Sequence, residues 1–251
     1  MTWLIDLDGV IWLTGRPIAG GAEAVERLRR AGERVLFVTN NSAAPIAEYE
    51  HRLSDQGIPA EGDVVSSAQA AASLLEPGSS AVVCAGPGVV EALEARGVEA
   101  RRDGDADAVV VGYHLDFDYE RLRVAMQAVL GGARLIGTND DPTYPTPAGP
   151  IPGGGAILAA VATASGTRPE VAGKPFPPMV ALLEQRQGPG RHTVVGDRPT
   201  TDGRLAQALG ARFALALSGV TQAADLPVDP APDMVGDDLA ELVAAALAEG
   251  Q

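Results

Sequence analysis

Two aspartates, Asp6 and Asp8, stand one residue apart at the end of the apolar run in LIDLDGV, residues 4–10. If Trp3 to Leu7 is a buried strand, as a short apolar run bounded by Gly9 suggests, residues i and i+2 project to the same side. Two unit charges about 4 Å apart at an effective dielectric near 20 repel by about 4 kcal/mol. A cation, a shared proton or wide solvation must compensate. Other reactive side chains close other apolar runs. RVLFVTNNS ends in Thr39, Asn40, Asn41 and Ser42, and TVVGDRPTTD ends in Asp197, with Asp202 opening the next turn. GKPFP places Lys174 just ahead of the helical stretch PMVALLEQR. In open parallel sheets such groups gather at the carboxyl ends of the strands.

Each of these types meets a need of phosphoryl transfer. A carboxylate can attack phosphorus and form an acyl phosphate, while a second acid protonates the departing alkoxide and later deprotonates water. A hard dication held by carboxylates, a carbonyl and waters suits Mg²⁺. A hydroxyl, an amide and an ammonium complete a cradle for the charge of the transition state. Phosphate-monoester hydrolysis needs up to ~10²¹-fold acceleration, roughly 28 kcal/mol. No single group supplies that, so a whole constellation is expected.

The elements that must position these groups alternate along the chain. TWLIDL, RVLFVT, AVVCA, DAVVVG, RLIGT, HTVVGD and RFALALSG read as strands. Between them GGAEAVERLRRAG, PIAEYEHRLSDQG, AQAAASLL, VVEALEARG, YERLRVAMQAVLGG, AILAAVATASG and LAELVAAALAEG read as helices, several closed by glycine. Such alternation predicts an α/β fold with a parallel sheet covered by helices. From about residue 67 the series reads as a small α/β unit of its own, followed by the Pro- and Gly-rich loop NDDPTYPTPAGPIPGGG.

The 251 residues suffice for one large domain or two modest ones, and 46% hydrophobic with 21% charged residues is ordinary for a globular chain. A net charge of −14 argues against nucleic acid or an anionic membrane as partner. A phosphorylated substrate responds to the local field and stays compatible. Cys84 is the only cysteine, which excludes an intrachain disulfide and a cysteine zinc site. The first residues run into a strand with no basic and apolar leader, and no apolar run approaches a membrane span, so a cytoplasmic protein is expected. Trp3 and Trp12 read as packing residues.

In this order, DLDGV, VTNNS, GKP and GDRPTTD resemble motifs one to four of the haloacid dehalogenase (HAD) superfamily. The wider stretches PIAGGAEAVERLR, VVSSAQAAASLL, TYPTPAGPIPGGGA and ALSGVT resemble its subfamily IIA, with the NagD-type, p-nitrophenylphosphatase, phosphoglycolate and pyridoxal phosphate phosphatases. The resemblance implies a Rossmannoid catalytic core of residues 1–66 and 166–251, with an inserted α/β cap of the C2 type at 67–165. It implies that Asp6 is nucleophile and metal ligand, and that Asp8 is general acid and base and gives its backbone carbonyl to Mg²⁺. Thr39 and Asn40 would hold phosphoryl oxygens, with Asn41 in support. Lys174 would bridge nucleophile and phosphate, Asp197 would bind metal, and Asp202 would support Lys174 or a metal water, or cap the helix it opens. The substrate would be a small phosphorylated metabolite chosen by cap loops at Tyr113 to Asp116 and Asn139 to Thr146, with His114 and Asn139 as specificity residues. Relatives suggest pairing of two copies through the cap.

The sequence departs from the family pattern at three places. Val10 stands where many members have Thr, His114 where an aspartate is expected, and Asp140 where proline is usual. The last two bear on substrate, not chemistry. Two other activities share part of the pattern: a non-catalytic receiver-like phospho-acceptor domain, and a metal-independent haloacid dehalogenase. The general-acid position of Asp8 speaks against both.

Overall fold

The computed structural model describes residues 1–146 and 148–249. Pro147 of the Pro- and Gly-rich loop, and Gly250, at which the last helical stretch ends, lie outside the described residues. TWLIDL forms the strand Thr2–Asp6, and each of its residues is buried. A strand flanked on both edges and covered on both faces has no wet side, which explains an apolar run without alternation. Its neighbours are the parallel strands Arg34–Thr39 and His192–Gly196, in register with Asp6 beside Val38 and Ile5 beside Val195. The full sheet runs Met234–Gly236, Arg212–Ala216, His192–Gly196, Thr2–Asp6, Arg34–Thr39, Val64–Ser66.

Successive side chains of the first strand serve opposite faces. Trp3 and Ile5 join Val25 and Leu28 of the helix Gly21–Arg30 and Leu242 and Val243 of the helix Leu239–Glu249. Leu4 joins Leu36, Val194, Met179 and Leu183 on the other face. The chain passes from the first strand to one side, at Arg34 and Val64, and returns on the other at His192. This reversal puts a crevice at the carboxyl end of Thr2–Asp6. Asp6, Thr39 and Asp197 end or follow the three strands that border it.

A second, five-stranded parallel sheet orders Glu170–Val171, Arg134–Gly137, Ala108–Val111, Ser80–Cys84, Glu99–Arg101. Its edge strand Glu170–Val171 lies past residue 165, where the sequence reading ends the insert. The two sheets share one apolar cluster, from Leu4 and Leu36 through Ala68 and Ala71 to Ala81, Val110 and Ile136. Backbones meet closely at the seam. The Gly88 N–H donates to the Ala43 carbonyl at 3.1 Å, and a Cβ on Gly88 would stand 2.1 Å from the Ala44 oxygen. The Ser42 and Thr138 hydroxyls hydrogen-bond at 2.9 Å.

Two small ribbons escape the sequence reading. Trp12–Leu13 pairs with Arg16–Pro17, and Thr143–Tyr144 pairs antiparallel with Ile151–Pro152 inside the stretch expected to be a loop. Two-residue strands are too short to show a period. Among the described residues no helix is long and apolar enough to cross a membrane.

Phe37 is fully buried in the strand next to the first and packs with Trp3 and Ile5. Phe37→Ala is expected to lower the unfolding free energy by about 3–5 kcal/mol, measured by equilibrium denaturant unfolding. A loss under about 1 kcal/mol would show that the site is not the tightly packed core described.

Candidate active site

Lys174 is the centre of the cluster. Its Nζ donates to Asp6 Oδ1 at 2.8 Å, Asp202 Oδ1 at 2.7 Å and the Val38 carbonyl at 3.2 Å, with the side chain only 2% exposed. Three donors meet three acceptors, so the ammonium is fully satisfied. Burial alone would lower its pKa, but the charges and hydrogen bonds of Asp202 and Asp6 outweigh it and hold it above the ordinary lysine range.

One carboxylate oxygen from each of Asp6, Asp197 and Asp202 lies within 4.8 Å of the others, and all three residues are buried. Burial raises the Asp6 pKa well above the usual carboxylate value; Lys174 opposes this, and Asp202 and Asp197 add to it. Burial, then the Asp202 charge, pushes Asp197 up to about 7. Asp197 Oδ2 accepts from the Val220 N–H at 2.6 Å, and Asp202 Oδ2 from the Arg198 N–H at 3.1 Å. Asp202 thus sits in the turn Pro199–Gly203 facing back to the strand end and to Lys174.

Glycines make this crowding feasible. A Cβ on Gly219 would stand 1.9 Å from Asp197 Oδ2, one on Gly9 2.3 Å from the same atom, and one on Gly196 2.1 Å from Asp202 Cγ. Gly9 also has φ of +92°, a conformation costly for other residues.

Asp8 Oδ1 accepts from Trp12 Nε1 at 3.1 Å and from the Tyr144 hydroxyl at 2.8 Å. Burial raises its pKa, and these two bonds offset part of the rise. Thr39 is buried with its hydroxyl accepting from the Asn41 N–H at 3.0 Å. Asn40 acts as a clasp: its Oδ1 accepts from the Lys174 N–H at 2.7 Å, and its Nδ2 donates to the Lys174 carbonyl at 3.1 Å and to Asp141 Oδ2 at 2.9 Å. The Asn40 carbonyl accepts from Ser67 Oγ and Asn139 Nδ2, each at 2.7 Å. The Asn41 side chain accepts from the Ala43 N–H at 3.1 Å.

Asp6, Asp8, Thr39, Asn40, Asn41, Asn139 and Lys174 line one cavity of about 60 Å³. Asp197 and Asp202 stand behind it, 1% exposed each. His114 does not line this cavity. Its Nδ1 is paired with Asp116 at 2.8 Å, its Nε2 lies 3.7 Å from Cys84 Sγ, and its ring packs edge-on against Phe117. Asp140 also lies elsewhere, on a groove with Arg168 and Phe176. Several lining residues have no individual role in the sequence reading: Tyr113, Asp141, Tyr144 and Arg198. The first three fall within the loops singled out from sequence, but nothing there distinguishes which side chains reach the site. Trp12, read as packing, also donates to Asp8.

Sequence comparison agrees with this geometry. Residues 3–99 match the haloacid dehalogenase-like hydrolase family, and residues 171–242 match a second HAD-hydrolase-like family. The D-glycerol 3-phosphate phosphatase of Mycobacterium tuberculosis is 37% identical over 249 residues, covering 95% of this chain and 70% of that protein. The acid sugar phosphatase of Staphylococcus saprophyticus is 37% identical over 179 residues, 70% of this chain and 69% of that protein. A solved glycerol phosphate phosphatase from Mycobacterium tuberculosis, in complex with magnesium, superposes with a TM-score of 0.88 at 35% identity, covering 96% of this chain and 75% of that one. The chain belongs to the haloacid dehalogenase-like hydrolases. Within them it falls in the NagD-like phosphatase branch, and its reaction class is phosphoric monoester hydrolysis.

Groups with raised carboxyl pKa values favour the protonated state in the folded protein. Their contribution to stability is full below the ordinary carboxylate range and is lost as pH rises through the folded value, about 7 for Asp197. Metal-free protein is therefore expected to show a melting temperature that falls as pH rises from about 4 to about 7, followed by scanning calorimetry. A melting temperature that rises across this window would contradict the crowding described.

Proposed function

We propose that the protein is a magnesium-dependent phosphatase that cleaves small alkyl or sugar phosphates through a phosphoaspartyl intermediate on Asp6. The observation that carries this reading is the Lys174 ammonium held between Asp6 and Asp202, with Asp197 beside them and Asp8 in the same cavity. Four carboxylates face one ammonium there, and burial, with the neighbouring aspartate charges adding to it, raises the pKa values of Asp6 and Asp197. A hard dication bound by oxygen donors fits that imbalance. Asp6 and Asp197 carboxylates and the Asp8 backbone carbonyl would hold Mg²⁺. Asp202, with Oδ1 already engaged, supports Lys174. Bound Mg²⁺ would neutralise charge on the phosphoryl oxygens.

In the first half-reaction an Asp6 oxygen bonds to phosphorus as the ester P–O bond breaks. The electron pair leaves with the alkoxide, which takes a proton from Asp8. In the second, the oxygen of a water bonds to phosphorus, its proton returns to Asp8, and the bond to Asp6 breaks to release phosphate. The Thr39 hydroxyl, which accepts from Asn41 and keeps its hydrogen free, can donate to a phosphoryl oxygen; Lys174 holds Asp6 and contributes its charge, Asn40 holds the Lys174 backbone, and Asn41 shapes the loop. Asp8, placed to donate and recover a proton, favours turnover over a stored receiver-like phosphoaspartate and over dehalogenation.

A cavity of about 60 Å³ has room for roughly four waters at ~15 Å³ each. That is about the room a phosphoryl group alone takes, so the alcohol part of the ester would extend toward the cavity mouth. The Asp141 carboxylate on the wall disfavours a leaving group with its own carboxylate, such as phosphoglycolate. The names of the relatives, a D-glycerol 3-phosphate phosphatase and an acid sugar phosphatase, support a small phosphorylated metabolite as substrate. The reading also takes 67–165 as a cap over a core of 1–66 and 166–251, two copies paired through that cap, and a cytoplasmic enzyme. The net charge of −14 supports a partnership with neither nucleic acid nor anionic membrane.

Purified protein is expected to hydrolyse p-nitrophenyl phosphate and glycerol 3-phosphate with Mg²⁺, to lose activity in EDTA and to regain it on adding Mg²⁺. Asp6→Asn is expected to cut turnover at least about 10³-fold while the protein stays folded, read by phosphate release and circular dichroism. Undiminished turnover by Asp6→Asn would refute the covalent route.

A further inference from the structure

Asp8 has one carboxylate oxygen engaged twice and the other open. Oδ1 takes both the Trp12 indole N–H and the Tyr144 hydroxyl, and no donor among the described residues reaches Oδ2. The two donors come from different places. Trp12 belongs to the turn after the first strand, where its N–H donates to the Leu7 carbonyl at 3.1 Å and its carbonyl accepts from the Gly9 N–H at 2.7 Å. Tyr144 lies far along the chain, in the ribbon Thr143–Tyr144 with Ile151–Pro152. Its ring stacks on Tyr113, centroids 5.3 Å apart and planes 20° apart, and both line the cavity.

We infer that Tyr144 is a positioning residue for the proton transfer: with Trp12 it holds Asp8 so that the transferable proton is carried on Oδ2, and the general acid is complete only when the Thr143–Tyr144 ribbon is seated over the core. The inference rests on the phosphatase reading above. An indole N–H only donates, and the phenol donates in the arrangement that satisfies both contacts, so Oδ1 acts as acceptor and the proton falls to Oδ2. With Oδ1 pinned by a core residue and an inserted one, the carboxyl plane cannot rotate without breaking a bond. Truncating the hydroxyl releases one of the two pins and leaves the ring in its stack.

Leaving-group chemistry separates this role from a merely structural one. The alkoxide of glycerol or a sugar needs its proton as the ester bond breaks, whereas p-nitrophenolate departs as a stable anion. Positioned acid–base catalysis contributes about 10²–10⁴-fold, and losing one of two positioning bonds should forfeit part of it. The quantity to read is kcat/KM, which here reports through phosphoryl transfer to Asp6 and so excludes the water-attack step that both substrates share.

The experiment compares wild type and Tyr144→Phe on p-nitrophenyl phosphate and on the faster of glycerol 3-phosphate and glucose 6-phosphate, with Mg²⁺. Tyr144→Phe is expected to lower kcat/KM for the alkyl phosphate about tenfold more than for the aryl phosphate. Tyr113→Phe, which removes a hydroxyl from the same cavity without touching Asp8, is expected to show no such leaving-group dependence. Thermal unfolding confirms that both variants fold. An equal effect of Tyr144→Phe on the two substrates overturns the inference and leaves the phosphatase reading standing, as does the same leaving-group dependence in Tyr113→Phe. Wild-type turnover of the aryl phosphate alone removes its basis, and no Mg²⁺-dependent turnover of any of these esters overturns the phosphatase reading itself.

Discussion

The buried ion pair network of Lys174 with Asp6 and Asp202 is the constraint on which the rest of the site depends. At 2.8 Å and 2.7 Å from Nζ, both carboxylates are within strong hydrogen-bonding range, in a place almost closed to water. Removing one partner of such a buried pair costs about 3–5 kcal/mol, because the remaining charge is left unpaired. The arrangement is therefore expensive to disturb and weak as a source of net stability. Its value lies in placement. Lys174 and Asp202 come from segments following strands of different sheets: the sheet order sets His192–Gly196, and so the turn with Asp202, beside the first strand, while the Asn40 side chain holds the Lys174 backbone at that strand's carboxyl end.

Asn40 extends that constraint across the seam between the two sheets. Its side-chain amide closes on both backbone groups of Lys174 and also reaches Asp141, while its own carbonyl is held by Ser67 and Asn139. A Cβ on Gly173 would stand 2.5 Å from Asn40 Oδ1, so the glycine before Lys174 is what lets the clasp close. The same few atoms thus fix the ammonium and anchor the segment that carries Tyr144. Chemistry and covering are joined through one residue rather than through a broad interface alone.

Much of this was legible before the structure because the signals were local. Asp6, Asp8, Thr39, Asn40, Lys174, Asp197 and Asp202 each end a strand or open a helix whose apolar pattern is plain, and the sheet rule gathers such ends. The long strands and amphipathic helices were legible for the same reason. What escaped depends on contacts distant in sequence or on elements of two residues. Tyr144 reaches Asp8 only through a ribbon with no period of its own, and Trp12 looks like any buried aromatic until its N–H is seen to point at a carboxylate. His114 shows the converse: an unusual residue in a specificity loop whose ring turns away to Asp116 and Cys84, leaving the cavity wall to its neighbour Tyr113.

The glycines show why an acidic cluster of this density folds at all. Asp197 and Asp202 approach the cluster from loops packed so tightly that ordinary side chains at Gly9, Gly196 or Gly219 would fall within about 2 Å of their carboxylates. Backbone takes the space that side chains would fill elsewhere, and backbone N–H groups such as those of Val220 and Arg198 supply the donors that those acids would otherwise draw from water. Such donors lower carboxylate pKa values, yet burial and mutual repulsion still win for Asp6 and Asp197. The surplus negative charge that remains is thus a property of the backbone design, not of composition. In a chain of net charge −14, a phosphate ester would be held only where this local surplus is offset, and the fold brings Lys174 and the clustered aspartates together at the end of a single strand.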